Sequence, residues 1–258
     1  MRPRDDSPSA DEALGRAAGL LRAAERVAVL SGAGISAESG LPTFRGAGGL
    51  WEGHRVEDVA TPMAFARDPS LVWRFYNMRR AALGTVQPNP GHHALVQLEE
   101  RLGEGRFTLI TQNVDGLHRA AGSRRVLELH GNLRRVRCTR CPAALDRGLE
   151  ELGELPHCDQ CGELLRPDIV WFHEMLPQDV WMAAGRAVGT CQCLLVVGTS
   201  ANVYPAAGLV RLGRDYHAKV IEVNLERTPA SDHADETLLG PSGEVLPRLV
   251  QALASGGR

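Results

Sequence analysis

The chain has 258 residues, enough for one large domain or for a large one with a smaller companion. Its 29 Lys and Arg against 31 Asp and Glu leave a net charge of −2, which excludes bulk electrostatic attraction to nucleic acid or to an anionic membrane. No apolar run approaches the ~18 residues of a membrane span, and the opening MRPRDDSPSADE has neither the apolar core of a signal peptide nor the acid-poor make-up of a transit peptide.

The periodicity predicts an amphipathic helix over 11–25, with Leu14, Ala17, Ala18, Leu20 and Leu21 on one face. Val27-Ala28-Val29-Leu30 then reads as a buried parallel strand that breaks into Ser31-Gly32-Ala33-Gly34. Gly32, Gly34 and Ala37 fit the G-x-G-x-x-G/A spacing, in which glycines bring backbone N–H groups close to a pyrophosphate at a helix N-terminus. On these residues alone a tight turn fits as well. The stretch 38–49, rich in Gly, Ser and Pro, reads as a loop able to fold over a ligand, closed by Trp51. Thr61-Pro62 and Asp68-Pro69 are two helix starts, and the second helix, running to about Gly84, carries Tyr76 and Arg79 on one face. Asn89-Pro90-Gly91 is a turn before a helix over 92–102.

RFTLITQN, 106–113, is a second strand, ending in the polar Gln112, Asn113 and Asp115. Polar side chains beyond the carboxyl end of a parallel strand are candidate ligand contacts or helix caps. RVLELHG, 125–131, reads as a short strand running into His130, a structural histidine or a general base at the same sheet edge. IVWFHE, 169–174, CQCLLVVGTS, 191–200, and KVIEVNLE, 219–226, read as further apolar strands, with Cys191 and Cys193 pointing the same way into packing. Helices are expected over 204–212 and 246–254.

The sharpest signal is Cys138-x-x-Cys141 and Cys158-x-x-Cys161, sixteen residues apart, inside the window for a tetrahedral zinc site with four cysteine ligands. Four thiolates leave no open coordination position, so one structural Zn is expected and no catalytic one. The six cysteines do not form a disulfide framework in a chain of this size, which points to a reducing, cytoplasmic setting. The expected fold is α/β: a Rossmann-like doubly wound parallel sheet with an inserted small zinc-binding module and a helical insertion. A dehydrogenase fits poorly, because the second strand ends in Gln-Asn where an acid usually holds a ribose diol.

Taken together, GAGISAESGLPTFRG, TQNVDGLH, LELHG, the two CxxC pairs, GTS and NLE resemble the sirtuin family of NAD-dependent protein deacylases, over about 15–250. The resemblance implies a single catalytic domain: a large lobe over about 12–45, 85–132 and 173–255, a helical insertion over about 46–84 and a zinc module over about 133–172. It implies NAD as co-substrate, with Gly32, Ala33, Gly34 and Ile35 at the pyrophosphate and Phe44, Arg45 and Trp51 in the loop over the cofactor. Gln112, Asn113, Val114 and Asp115 would serve the nicotinamide ribose and carboxamide, and Gly198, Thr199, Ser200, Asn224, Leu225, Glu226 and Ser242 the adenosine half. His130 would be the general base, with Asn113 beside it as the second catalytic residue. Val170, Phe172 and Glu174 would line the peptide groove. In the implied reaction the acyl oxygen of a modified lysine attacks C1′ as nicotinamide leaves. His130 then helps activate a ribose hydroxyl, giving free lysine and O-acyl-ADP-ribose. The expected partners are acylated lysines in protein substrates, met by a monomer, with no nucleic acid and no membrane.

Two details resemble the class III branch: Thr43 in AESGLPTFR, and Tyr76-x-x-Arg79, that branch's pair for succinyl and malonyl groups. An arginine fork and a phenol can hold a terminal carboxylate, and an acetyl group offers them no charge to bind. One residue departs from the family pattern: His173 stands where the family carries glycine in Phe-Gly-Glu, which implies strain if that position has a positive φ. The alternatives are an enzyme acting mainly on acetyl-lysine or by ADP-ribosyl transfer, and a non-catalytic NAD-sensing module.

Overall fold

The computed structural model of the chain describes residues 9–42, 50–51 and 53–255; Thr43, Phe44 and Arg45 lie outside them, and Trp51 is described by its backbone alone. Helix α1 (Ala10–Ala23) starts on a capping box between Ser9 and Glu12 and leads into β1 (Val27–Ser31) and the one-turn α2 (Gly34–Ala37). The first long connection holds a two-residue hairpin, β2 (Leu50–Trp51) and β3 (His54–Arg55), and then α3 (Val56–Val59), α4 (Pro62–Arg67) and α5 (Pro69–Leu83). Thr61 and Asp68 cap α4 and α5 through their side chains, each with proline next, as the two start signals predict. Helix α6 (Pro90–Leu102), capped by Asn89, returns the chain to β4 (Phe107–Thr111), α7 (Leu117–Ala121) and β5 (Val126–Glu128). Next come β6 (Gly131–Cys138), β7 (Ala144–Asp146) and β8 (Leu165–Ile169), a three-stranded antiparallel sheet in the order β7-β6-β8. The chain ends with α8 (Gln178–Thr190), β9 (Cys193–Val197), α9 (Gly208–Asp215), β10 (Lys219–Asn224), a 3-10 turn at Pro229–His233, β11 (Glu236–Leu239) and α10 (Ser242–Ser255).

The main sheet is six-stranded and parallel, in the order β11-β10-β9-β1-β4-β5. Winding starts at β1, runs outward through β4 and β5, then crosses back to β9, so the strand order reverses between β1 and β9. Ligands of doubly wound sheets bind beyond the carboxyl ends of the strands at that reversal. Register makes the edge level: Ser31 is paired with Thr111 and with Val197, Thr111 with Glu128, and Val197 with Val223. Gly32, Gln112 and Gly198 therefore emerge one residue past their strands, level with Asn224, the last residue of β10.

Three apolar clusters hold the molecule. One lies on the face of the sheet covered by α1, α6 and α10, and a second on the face covered by α8 and α9. The third joins the helices of the first long connection to the antiparallel sheet, with Val59, Trp73, Tyr76, Leu133, Val136, Leu165 and Trp171 in one core. Polar ties reinforce this third core: Trp73 Nε1 donates to Leu165 O at 2.9 Å, and the buried Arg80 donates to the carbonyls of Leu133 and Glu150. No helix among the described residues is long and apolar enough to cross a membrane.

Several sequence expectations need correcting. The strand expected over 125–131 stops at Glu128, and the strand expected over 169–174 stops at Ile169, after which 172–174 turn. Both apolar runs end in corners of the chain that bury Leu129 and Trp171, which periodicity cannot tell from a strand. Cys191 and Cys193 do not share a face: Cys193 packs into the first cluster and Cys191 into the second, because the strand begins only at Cys193 and the Cys191 thiol turns to Val188 O. Helix α8, the one-turn α7 and strand β11 are additions to the elements that the sequence pattern predicts. The helices expected over 204–212 and 246–254 run instead over Gly208–Asp215 and Ser242–Ser255.

Candidate functional site

The glycine turn after β1 is built for close backbone approach. Gly32 N donates to Val197 O at 3.0 Å and Gly34 N to Gly198 O at 2.7 Å, and a Cβ at Gly34 would lie 2.7 Å from Gly198 O. Gly198 is equally constrained, with φ +56° and a Cβ position 2.4 Å from Ile35 N. Larger residues at either position would force apart the β1 and β9 turns at the reversal point. Ala33 precedes α2, and the carbonyl of the buried Ile35 accepts from Asn89 Nδ2 at 2.7 Å, which fixes the turn to the cap of α6.

The polar residues after β4 close around this turn. Asn113 Nδ2 donates to Gly32 O at 3.0 Å and to Ser36 Oγ at 3.1 Å, and Ser36 Oγ donates to Asp115 Oδ2 at 2.8 Å. Gln112 Nε2 donates to Thr199 Oγ1 at 2.9 Å, bridging the β4 and β9 ends, while Val114 O accepts from Leu133 N. Burial raises the Asp115 carboxyl above its usual range, opposed by bonds from Leu117 N and Ser36 and by the nearby Arg79 guanidinium. Asn224 Nδ2 donates to Thr199 O and its Oδ1 accepts from Leu225 N, so this asparagine shapes the loop past β10. Leu225 and Glu226 are exposed, Ser200 is half-buried, and Ser242 is buried at the start of α10.

His130 sits at the corner between β5 and β6. Its Nδ1 lies 2.9 Å from Gln112 O, and since a carbonyl only accepts, Nδ1 carries the proton and Nε2 is left with its lone pair. Burial lowers its pKa from the ordinary histidine value, so the ring is neutral at pH 7. The corner around it is rigid. His130 O accepts from Val170 N at 3.0 Å, and Glu128 takes bonds from Asn132 and Arg135, the latter reaching on to Asp168. Gly131 has φ +82°, and a Cβ there would fall 2.1 Å from Asp168 O, so no larger residue fits behind the histidine.

On the helical side, Tyr76 is fully buried, and the Arg79 guanidinium lies 6.0 Å from its ring centroid. Burial pushes the Tyr76 phenol up to about 12, against a downward pull from Arg79, so the hydroxyl is a hydrogen-bond donor throughout the physiological range. The Arg79 charge pulls down both the Tyr76 phenol and the Asp115 carboxyl against the upward push of burial. Phe172 is partly exposed and its N–H donates to Ala60 O. Glu174 is turned inward: its carboxylate accepts from Arg166 Nη1 and Nη2 at 2.6 and 2.9 Å, from Trp171 N at 2.8 Å and from Arg137 at 3.4 Å. His173 does adopt a positive φ, +70°, with its side chain exposed. Trp171, Arg166 and Arg80 have no signal in the sequence beyond residue type; only their burial and partners mark them.

Cys138, Cys141, Cys158 and Cys161 converge with all four sulfurs within 4.8 Å of one another. The Cys138–Cys161 and Cys141–Cys158 sulfurs are 3.5 and 3.6 Å apart, far beyond a disulfide of about 2.05 Å and close to the ~3.8 Å edge of a tetrahedron with ~2.3 Å Zn–S bonds. The donor set fits a closed structural zinc site. Replacing Cys141 by serine is expected to take the zinc content from one per chain to near zero and to lower the melting temperature by roughly 10 °C. Metal analysis beside a thermal melt checks this, and an unchanged melt with zinc gone would deny the site a structural role.

Below the glycine turn lies a buried histidine pair. His92 and His118 rings are 4.9 Å apart, His118 Nε2 meets Ser31 Oγ at 2.8 Å, and His92 caps back to Asn89. Burial lowers His118 well below its ordinary value and His92 to about 4, with His93 adding to the latter. These groups bind protons in the unfolded chain from about pH 6.5 downward but stay neutral when folded, so stability is lost as pH falls through that window. The gap for His92 alone corresponds to about 3 kcal/mol by pH 4. Urea melts between pH 7 and 4 should show this decline, and His92→Gln should flatten it.

The sequence model of the Sir2 family matches residues 32–205, more than half of the chain. The chain belongs to the Sir2 family. It is 52% identical to NAD-dependent protein deacylase 2 of Pyrobaculum aerophilum, over 91% of this chain and 93% of that one. It is 49% identical to the NAD-dependent protein deacylase of Thermococcus kodakarensis, over 92% and 95%. Among solved structures, a Sir2 homolog–NAD complex superposes with a TM-score of 0.86 at 45% identity, covering 93% of both chains. In this Sir2 protein the glycine turn, the polar end of β4 and His130 thus stand at the carboxyl edge where a dinucleotide fits.

Proposed function

We propose that this Sir2 protein removes acyl groups from protein lysines in an NAD-dependent reaction, and that it prefers succinyl and malonyl groups. The relatives' names, NAD-dependent protein deacylase, support the reaction. The preference rests on one observation: the buried Tyr76 phenol and the Arg79 guanidinium stand together, Cζ 6.0 Å from the ring centroid. A phenol O–H and a guanidinium are a matched pair for a terminal carboxylate. Asp115 balances part of the Arg79 charge when the acyl group is neutral, so acetyl-lysine is accepted, but more slowly.

NAD supplies an electrophilic ribose carbon and nicotinamide as a leaving group. The backbone of Gly32, Ala33 and Gly34 would hold its pyrophosphate, with Asn113 and Asp115 at the nicotinamide end and the 198–200 and 224–226 loops at the adenosine end. His130, neutral and with Nε2 able to accept, would take a proton from a ribose hydroxyl. Val170 and Phe172 would border the peptide. The test is product analysis: protein, NAD and an acyl-lysine peptide should give equimolar free-lysine peptide, nicotinamide and O-acyl-ADP-ribose. Hydrolysis of NAD without deacylated peptide would refute the reading.

A further inference from the structure

Trp171 takes no part in the site as described, yet it is heavily tied next to it. Its indole is buried and its Nε1 donates to the Tyr76 hydroxyl oxygen at 3.0 Å. The Arg166 guanidinium lies against the ring system, with Cζ 3.4 Å from the ring centroid. Arg166 is itself fixed by two bonds to Glu174 and one to Ile169 O, and Glu174 returns to accept the Trp171 backbone N–H. The 171–174 turn is thus a closed clasp that reaches the phenol through the indole N–H.

A phenolic hydroxyl prefers the plane of its ring and has two favourable in-plane directions. An indole N–H can only donate, so it occupies one acceptor side of the Tyr76 oxygen and excludes the phenol hydrogen from that side. The O–H is left with the opposite direction. We propose that Trp171 is a positioning residue for acyl specificity: by capping the Tyr76 oxygen it aims the phenol O–H, in advance of binding, at the carboxylate of an acidic acyl group. The Arg166–Glu174 clasp holds the indole where its N–H reaches the phenol oxygen, with the two rings tilted 35° to each other. A donor already aimed costs no reorganisation when the ligand arrives, whereas a freely rotating one must be ordered. This rests on the acidic-acyl reading above.

The test compares kcat and KM on succinyl-lysine and acetyl-lysine peptides of the same sequence for wild type, Trp171→Phe, Tyr76→Phe and the double variant. Trp171→Phe keeps an aromatic ring and deletes the N–H. The expected result is a KM for the succinyl peptide raised about fivefold, the size of one net hydrogen bond, with acetyl turnover within about twofold. In the Tyr76→Phe background, Trp171→Phe should change the succinyl-to-acetyl ratio no further, because no phenol remains to aim. A purely structural tryptophan would instead lower both substrates alike in both backgrounds, and that outcome overturns the proposal. Should Phe loosen the core, a benzothiophene side chain at position 171, equal in shape but without the N–H, gives the same readout. A wild-type ratio near one sinks the acidic-acyl reading itself. A high wild-type ratio that survives the loss of the N–H sinks this inference alone.

Discussion

Replacing His130 by alanine is expected to lower deacylation by about 10^2–10^4-fold while NAD affinity stays within a few-fold. The ring is fastened through Nδ1 to Gln112 O and is neutral at pH 7, which leaves Nε2 to act as a base and gives the histidine no charge to offer the cofactor. The corner carrying it is anchored by backbone bonds from Leu129 to Thr111, Val170 to His130 and Leu133 to Val114, so truncation of the side chain leaves the edge of the sheet intact. Burial lowers the histidine's pKa, so the acid limb of kcat/KM should fall below about pH 6.5 and not above it. Single-turnover rates with and without His130, beside NAD titration, check this. Loss of NAD binding in His130→Ala would assign the residue to cofactor binding instead.

Arg79→Met is expected to reduce desuccinylation by about 10^2-fold or more and to retain most deacetylation, reversing the order of the two substrates. A buried or half-buried charge pair that loses one partner costs on the order of 3 kcal/mol, and methionine keeps the apolar stem of arginine. Paired kcat/KM values on succinyl and acetyl peptides decide it. Equal losses on both would demote Arg79 to a support for Asp115, with which it interacts.

Much of this is legible in the chain because the signals are local and rest on backbone chemistry. A glycine turn after an apolar strand, proline-marked helix starts and two CxxC pairs each carry their own physical reason. The four cysteines converge, and the parallel sheet follows from the alternation of its strands with helices. What the sequence hides depends on tertiary partners. Cys191 and Cys193 look like strand neighbours until the start of β9 at Cys193 separates their faces. The 169–174 stretch turns a corner that buries Ile169 and Trp171 and leaves Phe172 and His173 exposed, held by the Arg166–Glu174 pair, an arrangement that no pattern of hydrophobicity announces. Glu174 reads as a groove acid in sequence but commits its carboxylate to Arg166, Arg137 and Trp171. Trp171 and Arg80 carry contacts that no spacing announces. His173, conversely, is marked by its place in the motif, and its φ of +70° is the strain that place implies.

Which acyl group the protein removes fastest is the central question. The most direct measurement is nicotinamide release by the zinc-loaded protein with NAD and two peptides that differ only in carrying succinyl-lysine or acetyl-lysine. Faster release with the succinyl peptide is the predicted result. Faster release with the acetyl peptide would contradict it, and would leave a deacetylase in which the buried tyrosine and its arginine serve only to pack the helices against the zinc-bearing sheet.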